Sequence, residues 1–208
     1  MKKKYPFIRI VDLLLRVIWY LQWLFGVALF ISAISIIADV SWFNVEKIKG
    51  FHITYSEIDL GSIQMHDNQE HLAKLTNGEG RLHISDLDHK ITLFKIIGAF
   101  LELLVGMYII YLLRRIFANL KVGEFFVNAN GQCLRKIAIS IVGISLFISG
   151  YQYVISSYIY NHFSIEGIVL KRAAEIDTKT LLFGIMIFVV AMIFIKGAEI
   201  KEEQDLTI

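Results

Sequence analysis

The chain has 208 residues, of which 56% are hydrophobic and 19% are charged. Soluble domains average about 45 to 50% apolar and about 25% charged residues. Aromatic residues make up 13% of the chain, which excludes intrinsic disorder. The single cysteine excludes a disulfide scaffold, and the net charge of +2 gives no sign of direct nucleic-acid binding.

Four stretches are long and apolar enough to cross a lipid bilayer as helices, which takes about 20 residues. They cover 17–38, 93–113, 137–158 and 180–195. The fourth is the shortest, and we expect Lys179 and Lys196 to reach the interfaces at its ends. The first exceeds the apolar core of a cleaved signal peptide, so we expect a retained anchor.

Basic residues flank these spans unevenly. They cluster before the first span and in the 114–136 connection, at Lys2, Lys3, Lys4, Arg9, Arg16, Arg114, Arg115, Lys121, Arg135 and Lys136. The 39–92 segment instead has five basic and nine acidic residues. The positive-inside rule therefore predicts cytoplasmic termini, a cytoplasmic 114–136 connection, and outer loops at 39–92 and 159–179.

The first outer loop is too long for a simple connection, so we expect it to form a small domain. Its β-branched and aromatic content predicts strands at 51–58, 62–66 and 81–85, with another at 164–170 in the second outer loop. Pairing their backbone groups predicts one antiparallel sheet. The predicted fold class is an all-α four-helix transmembrane bundle (1–38 and 93–208) with a small extracytoplasmic β-sheet from 39–92, joined by 159–179.

Five of the six histidines lie in the first outer loop, at His52, His66, His71, His83 and His89. Neutral imidazole binds zinc and titrates near neutral pH, so a metal site or a pH sensor is one interpretation. The spacing contains no H-x-x-x-H and no Cys/His pair, which favours solvated side chains. We predict no metal site.

Glu102 is the most costly residue to place in a membrane. It lies nine residues into the second span, which corresponds to a depth of about 14 Å. The carboxyl can be protonated and face the bundle, hydrogen-bonding to a polar residue such as Gln22 or Gln152. The alternatives are ion or proton chemistry, or contact with lipid or a partner helix.

Small residues recur in all four spans and favour close helix packing, although the same residues could form the seam of a homo-oligomer. They are Gly26, Ala28, Ser32, Gly98, Ala99, Gly106, Gly143, Ser145, Ser149, Gly150, Gly184 and Ala191.

The 114–136 connection carries a motif of its own. We expect Gly123 to end the incoming helix, Phe126 to anchor the loop at the membrane interface, and Asn128 or Asn130 to cap the next helix. Leu134 continues the i+4 spacing from Phe126 and Asn130. The basic residues favour contact with the anionic inner leaflet, and ordinary interfacial anchoring is the alternative.

Gly123, Phe126, Asn130, Leu134 and Ile137, together with Gly197-Ala198-Glu199 and the ending 202–208, resemble the bacterial family called domain of unknown function 2975. At Gly131 and Cys133 the sequence departs from the longer polar residues expected there. The resemblance implies a small multi-pass protein of the bacterial cytoplasmic membrane. It also implies a cytoplasmic helix-turn-helix transcriptional regulator as a partner, and it supplies no catalytic residue or cofactor site.

The C-terminal tail, 197–208, ends in Asp205, Leu206, Thr207 and Ile208. Its alternating apolar residues and free carboxylate suit strand addition to a partner or carboxylate capture. The tail could equally dock onto the basic connection of the same molecule, or be disordered.

No motif of an enzyme occurs, because G-x-S-x-G, H-E-x-x-H and a glycine-rich phosphate loop are all missing from the sequence. We therefore predict no enzyme, no catalytic residue and no cofactor. The leading hypothesis is a non-enzymatic signalling or interaction module in the lipid bilayer. A small transporter, channel or immunity-type membrane protein is the alternative.

Overall fold

The computed structural model describes residues 6–38, 50–57, 61–64, 70–73, 78–83, 89–165, 168–172 and 176–206. The chain is mostly helical. The helices are α1 (Pro6–Ile37), α2 (His89–Val122), α3 (Asn128–His162) and α4 (Thr178–Leu206). The strands are β1 (Gly50–Glu57), β2 (Gly61–Gln64), β3 (Glu70–Ala73), β4 (Gly78–His83) and β5 (Ile168–Lys171).

Each helix contains one of the predicted spans and is long and apolar enough to cross a membrane. At most 22% of the residues in the most apolar part of each helix are buried within the protein. Large apolar side chains point outward instead, such as Leu24 at 71% exposure and Ile193 at 65%. Such a surface is favourable against lipid acyl chains and unfavourable in water.

The helices pack in chain order. α1 packs on α2, α2 on α3, and α3 on α4, and the last of these interfaces is the most extensive. No comparable interface joins α1 to α4 in the part of the chain that is described. The predicted bundle is therefore open on one side. Lipid tails are as apolar as leucine side chains, so no hydrophobic force drives α1 against α4.

Small residues mark the helix interfaces, as their recurrence predicts. A Cβ atom added to Gly98 would lie 2.6 Å from the ring of Tyr151, and one added to Gly184 would lie 2.8 Å from Val142. Gly143 and Gly150 differ, because an added Cβ would meet nothing within 4 Å at either position. These two glycines lie on the outward side of α3.

β1 is the central strand of a three-stranded antiparallel sheet with the order β4-β1-β5. Tyr55 faces Gly78 on one side and Leu170 on the other. The prediction that 51–58, 81–85 and 164–170 share a sheet is confirmed. The prediction that 62–66 joins it is wrong, because residues 61–64 pair with β3 instead. Gly61–Gln64 pairs with Glu70–Ala73 in a separate two-stranded sheet, and His66 lies outside the described residues.

The three-stranded sheet packs on the ends of two helices. Ile159 of α3 and Leu170 of β5 are buried, at 2% and 7% exposure, and Ile53, Leu82 and Ile91 pack around them. We call this the sheet end of the molecule. The opposite end, where residues 123–127 connect α2 to α3, is the turn end.

α4 begins at a hydrogen-bonded cap. The Asp177 carboxylate accepts a hydrogen bond from the backbone N–H of Thr180 (3.1 Å) and another from its hydroxyl (2.5 Å). Hydrogen bonds from Thr180 hold the pKa of Asp177 below its ordinary value. The Ser145 hydroxyl donates to the Asp177 carbonyl (3.4 Å), so α4 starts beside the middle of α3. The part of α3 nearest the sheet, which continues to His162, extends past the start of α4.

Candidate functional site at the turn end

Gly123 ends α2, as its place in the motif predicts. It has a φ of +90°, a left-handed conformation that glycine adopts without a steric penalty. The N–H of Gly123 donates to the Leu120 carbonyl (3.2 Å), and the N–H of Glu124 donates to the Asn119 carbonyl (3.0 Å). This pair of bonds is a Schellman motif, which satisfies carbonyls at a helix C-terminus.

Asn130 joins the two sides of the turn. Its side-chain amide donates to the carbonyls of Glu124 (3.0 Å) and Phe125 (3.1 Å), and its oxygen accepts a bond from the Asn119 amide (2.8 Å). Asn130 is 1% exposed. The prediction that an asparagine caps α3 is wrong. The capping residue is Val127, which makes no side-chain cap bond, because the Asn130 side chain is directed back into the turn.

Phe126 connects the turn to α4. Its ring stacks on that of Phe194, with centroids 5.5 Å apart. A Cβ atom added to Gly197 would lie 3.6 Å from the Phe126 ring, an ordinary van der Waals distance, so Gly197 and the ring are close neighbours. Phe126 remains 53% exposed, which leaves a surface at this end of the molecule.

Gly131 and Cys133 show why longer polar residues do not fit here. A Cβ atom added to Gly131 would lie 2.5 Å from Cγ1 of Ile195 and 3.0 Å from its backbone nitrogen. Cys133 is buried between α2 and α3 with Leu112, Ile116 and Ile137, and Leu134 packs against this cluster. The departures from the expected pattern therefore coincide with the closest helix packing near the turn.

α1 reaches the same end of the molecule through charged residues. The carboxylate of Asp12 forms ion pairs with Lys121 of α2 and with Arg16 of its own helix. Arg114 of α2 lies over the ring of Trp19, 5.6 Å from its centroid. Sequence reasoning missed Asp12, Asn119 and Phe194. One signal was available for Asp12, because it is the sole acidic residue in positions 1–38.

The tail is helical for most of its length. α4 continues without interruption through 197–206 and ends at Leu206. Ala198 is 1% exposed, whereas Ile200 is 56% exposed and residues 201–204 are also exposed. Lys196 pairs with Glu199 at 2.6 Å. Asp205 and Leu206 lie within the helix, while Thr207 and Ile208 lie outside the described residues.

The intramembrane polar residues do not form a hydrogen-bonded group. Glu102 and Gln152 are both exposed, and neither makes a hydrogen bond to a described residue. Oε1 of Gln22 is buried and has no hydrogen-bond partner there. The amide of Gln22 instead lies beside Gly106 on α2.

Within the described part of the chain, no group of three or more metal-binding side chains occurs. The side chains of His52, His66, His71, His83 and His89 lie outside that part. His162 is described, and its ring stacks on Tyr158 with centroids 4.1 Å apart.

Four long apolar helices with outward-facing apolar side chains define a multi-pass integral membrane protein. The chain belongs to the family described as "Protein of unknown function (DUF2975)", whose model matches residues 70–208. The match includes the whole turn-end motif, α2, α3 and α4. No curated protein and no solved structure matches the chain.

Proposed function

We propose that this protein is a non-enzymatic interaction module of the bacterial cytoplasmic membrane, and that its turn end binds a cytoplasmic protein. The observation that carries the proposal is the course of α4. The helix continues past its apolar part to Leu206, and within residues 200–204 it exposes charged side chains and one large apolar side chain, Ile200.

Contacts with the turn hold the exposed C-terminal part of α4 in place. Phe126 stacks on Phe194, and the buried Ala198 fixes the next turn of α4 against the protein. A preformed helix loses less conformational entropy on binding than a disordered tail would. The exposed Phe126 and Ile200 provide apolar contact area beside Lys201 and Glu202.

The orientation follows from charge. Arg16, Arg114, Arg115, Lys121 and Lys136 belong to the turn end, and the positive-inside rule assigns such residues to the cytoplasm. The sheet end would then be extracytoplasmic. A cytoplasmic helix-turn-helix regulator, the partner implied by the family resemblance, would meet the turn end and the helical tail.

Deleting residues 202–208 should abolish binding of that regulator while leaving membrane insertion and thermal stability in detergent unchanged. The deletion removes the exposed residues 202–204 with the residues that follow them, and it retains Ala198, Gly197 and Phe194, which hold α4 to the turn. The measurement is co-purification of the co-expressed regulator from membranes. The matched control is Arg172→Gln, an exposed substitution at the sheet end. Equal recovery of the regulator with the deletion variant and the wild type would refute the proposal.

A further inference from the structure

Glu102 is exposed on the side of α2 that faces the other helices. Tyr111, which is 51% exposed, lies nine residues further along, or two and a half turns, and therefore on the opposite side of the helix. One turn from Glu102 on either side, Gly98 contacts Tyr151 of α3 and Gly106 contacts Gln22 of α1. Glu102 therefore lies between α1 and α3, where exposure requires an open crevice.

α3 shows the same feature. Gln152 is exposed although it lies nine residues, again two and a half turns, from Gly143 on the outward side. Its neighbour Tyr151 packs over Gly98, which places Gln152 near the sheet-end side of Glu102. α4 begins beside Ser145, at the middle of α3, so it does not cover the part of the crevice nearest the sheet end.

The polar groups in the crevice favour a cation. The Glu102 carboxyl is exposed and makes no hydrogen bond to a described residue. The nearby positive charge on this face of α2 is Lys95, but it lies two turns toward the sheet end, about 10 Å from Glu102 along the helix axis. An uncompensated carboxylate in apolar surroundings is costly, so a bound positive charge would stabilise it.

The same groups favour an organic cation over a metal ion. Ca²⁺ takes six to eight oxygen ligands, and Mg²⁺ needs near-ideal octahedral geometry, whereas the crevice offers one carboxylate and the neutral amide of Gln152. An alkylammonium group needs fewer acceptors and brings an apolar body suited to a crevice between apolar helices.

We propose that the crevice between α1, α2 and α3 binds a lipophilic organic ammonium ion, with its charged group at Glu102 and its apolar part between the helices. This site is separate from the turn end. A failure of the regulator-binding experiment would leave it untouched.

The test uses the full-length protein in lipid nanodiscs, with phenylbutylammonium as the probe and the uncharged phenylbutanol as its matched analogue. We expect saturable binding of the ammonium, weakened about tenfold or more by Glu102→Gln, the loss expected from removing one favourable charge interaction. Glu102→Asp should retain binding because it keeps the carboxylate. Glu202→Gln, a substitution of an exposed carboxylate near the C-terminus, should leave the affinity unchanged.

A second measurement uses the wild-type protein alone and does not depend on the folding of a variant. Dicyclohexylcarbodiimide modifies carboxyl groups in apolar surroundings, and mass spectrometry of the α2 peptide locates the product. We expect phenylbutylammonium to slow the labelling of Glu102 and phenylbutanol to leave it unchanged. Equal binding of the alcohol, an unchanged affinity in Glu102→Gln, or labelling that the ammonium does not slow would each overturn the proposal.

Discussion

At the scale of single residues, the buried side-chain amide of Asn130 holds the turn end together. Asn130 satisfies two carbonyls of the 123–127 turn and pairs with Asn119 at the end of α2. A hydrophobic residue of similar volume would leave the Asn119 amide without this acceptor. Buried polar networks of this kind specify one arrangement of the backbone, provided that every member is satisfied.

Replacing Asn130 with alanine should lower the free energy of unfolding by about 1 to 3 kcal/mol, the usual cost of leaving buried polar groups unpaired. The measurement is thermal or denaturant-induced unfolding in detergent. Asn128→Ala is the matched control, because Asn128 is exposed and makes only a 3.4 Å contact with Gln132. An equal effect of the two substitutions would contradict the role assigned to the Asn130 hydrogen bonds.

At the scale of elements, α4 depends on α3 for its position. The two helices form the most extensive interface, and Gly131 and Gly184 allow the backbones to approach closely at two levels. Since van der Waals contact replaces the hydrophobic effect between helices in a bilayer, close approach is the main source of their association. A larger side chain at such a position should separate α4 from the turn.

Gly131→Ala should therefore destabilise the protein by about 1 to 3 kcal/mol through overpacking against Ile195. Gly143→Ala is the control on the same helix, since an added Cβ there meets nothing within 4 Å. That substitution should be neutral, or stabilising by up to about 1 kcal/mol from helix propensity. Unfolding curves of the two variants in one detergent make the comparison. Equal stability of both variants would show that the close approach at Gly131 has no energetic consequence.

The whole molecule is polarised along the helix axes. The three-stranded sheet lies at one end, and the turn with its basic residues lies at the other. This polarity predicts that the N-terminus and α4's far end share one side of the membrane and that the sheet occupies the opposite side.

Cysteine accessibility in intact cells should show this arrangement. In a Cys133→Ala background, a cysteine at Asn68 should react with a membrane-impermeant maleimide from outside, and one at Gln204 should react only after permeabilisation. The native Cys133 is 4% exposed, so its removal is a precaution against background labelling. Labelling of Asn68 only from the cytoplasmic side would invert the proposed topology.

Much of the architecture could be predicted because it depends on local composition. The four spans are continuous apolar stretches, and β-branched and aromatic residues predict the strands at 51–58 and 81–85. The ends of the helices were harder to predict from the sequence. α2 continues beyond its apolar part through Arg114 and Arg115 to Val122, because charged residues can extend a helix into the interface at little cost.

The candidate site was predicted only in part. Gly123 is recognisable because few residues other than glycine adopt a left-handed φ at a helix end. The role of Asn130 was not, because its partners are backbone carbonyls of the turn and a side chain eleven residues earlier. The helical form of 197–206 was not predicted, since the two alternating apolar residues at the end of the sequence carry too little periodicity to indicate a secondary structure.

The sequence by itself determined that the chain enters a membrane four times, that it carries a small sheet, and that its charges are asymmetric. These properties follow from transfer free energies and backbone pairing, which act residue by residue. Only the tertiary structure decided that α1 and α4 stay apart, that Glu102 is exposed on the side of α2 between α1 and α3, and that Phe126 joins the turn to α4. Such features depend on which helix faces meet, and in lipid that choice rests on close packing between residues distant in sequence.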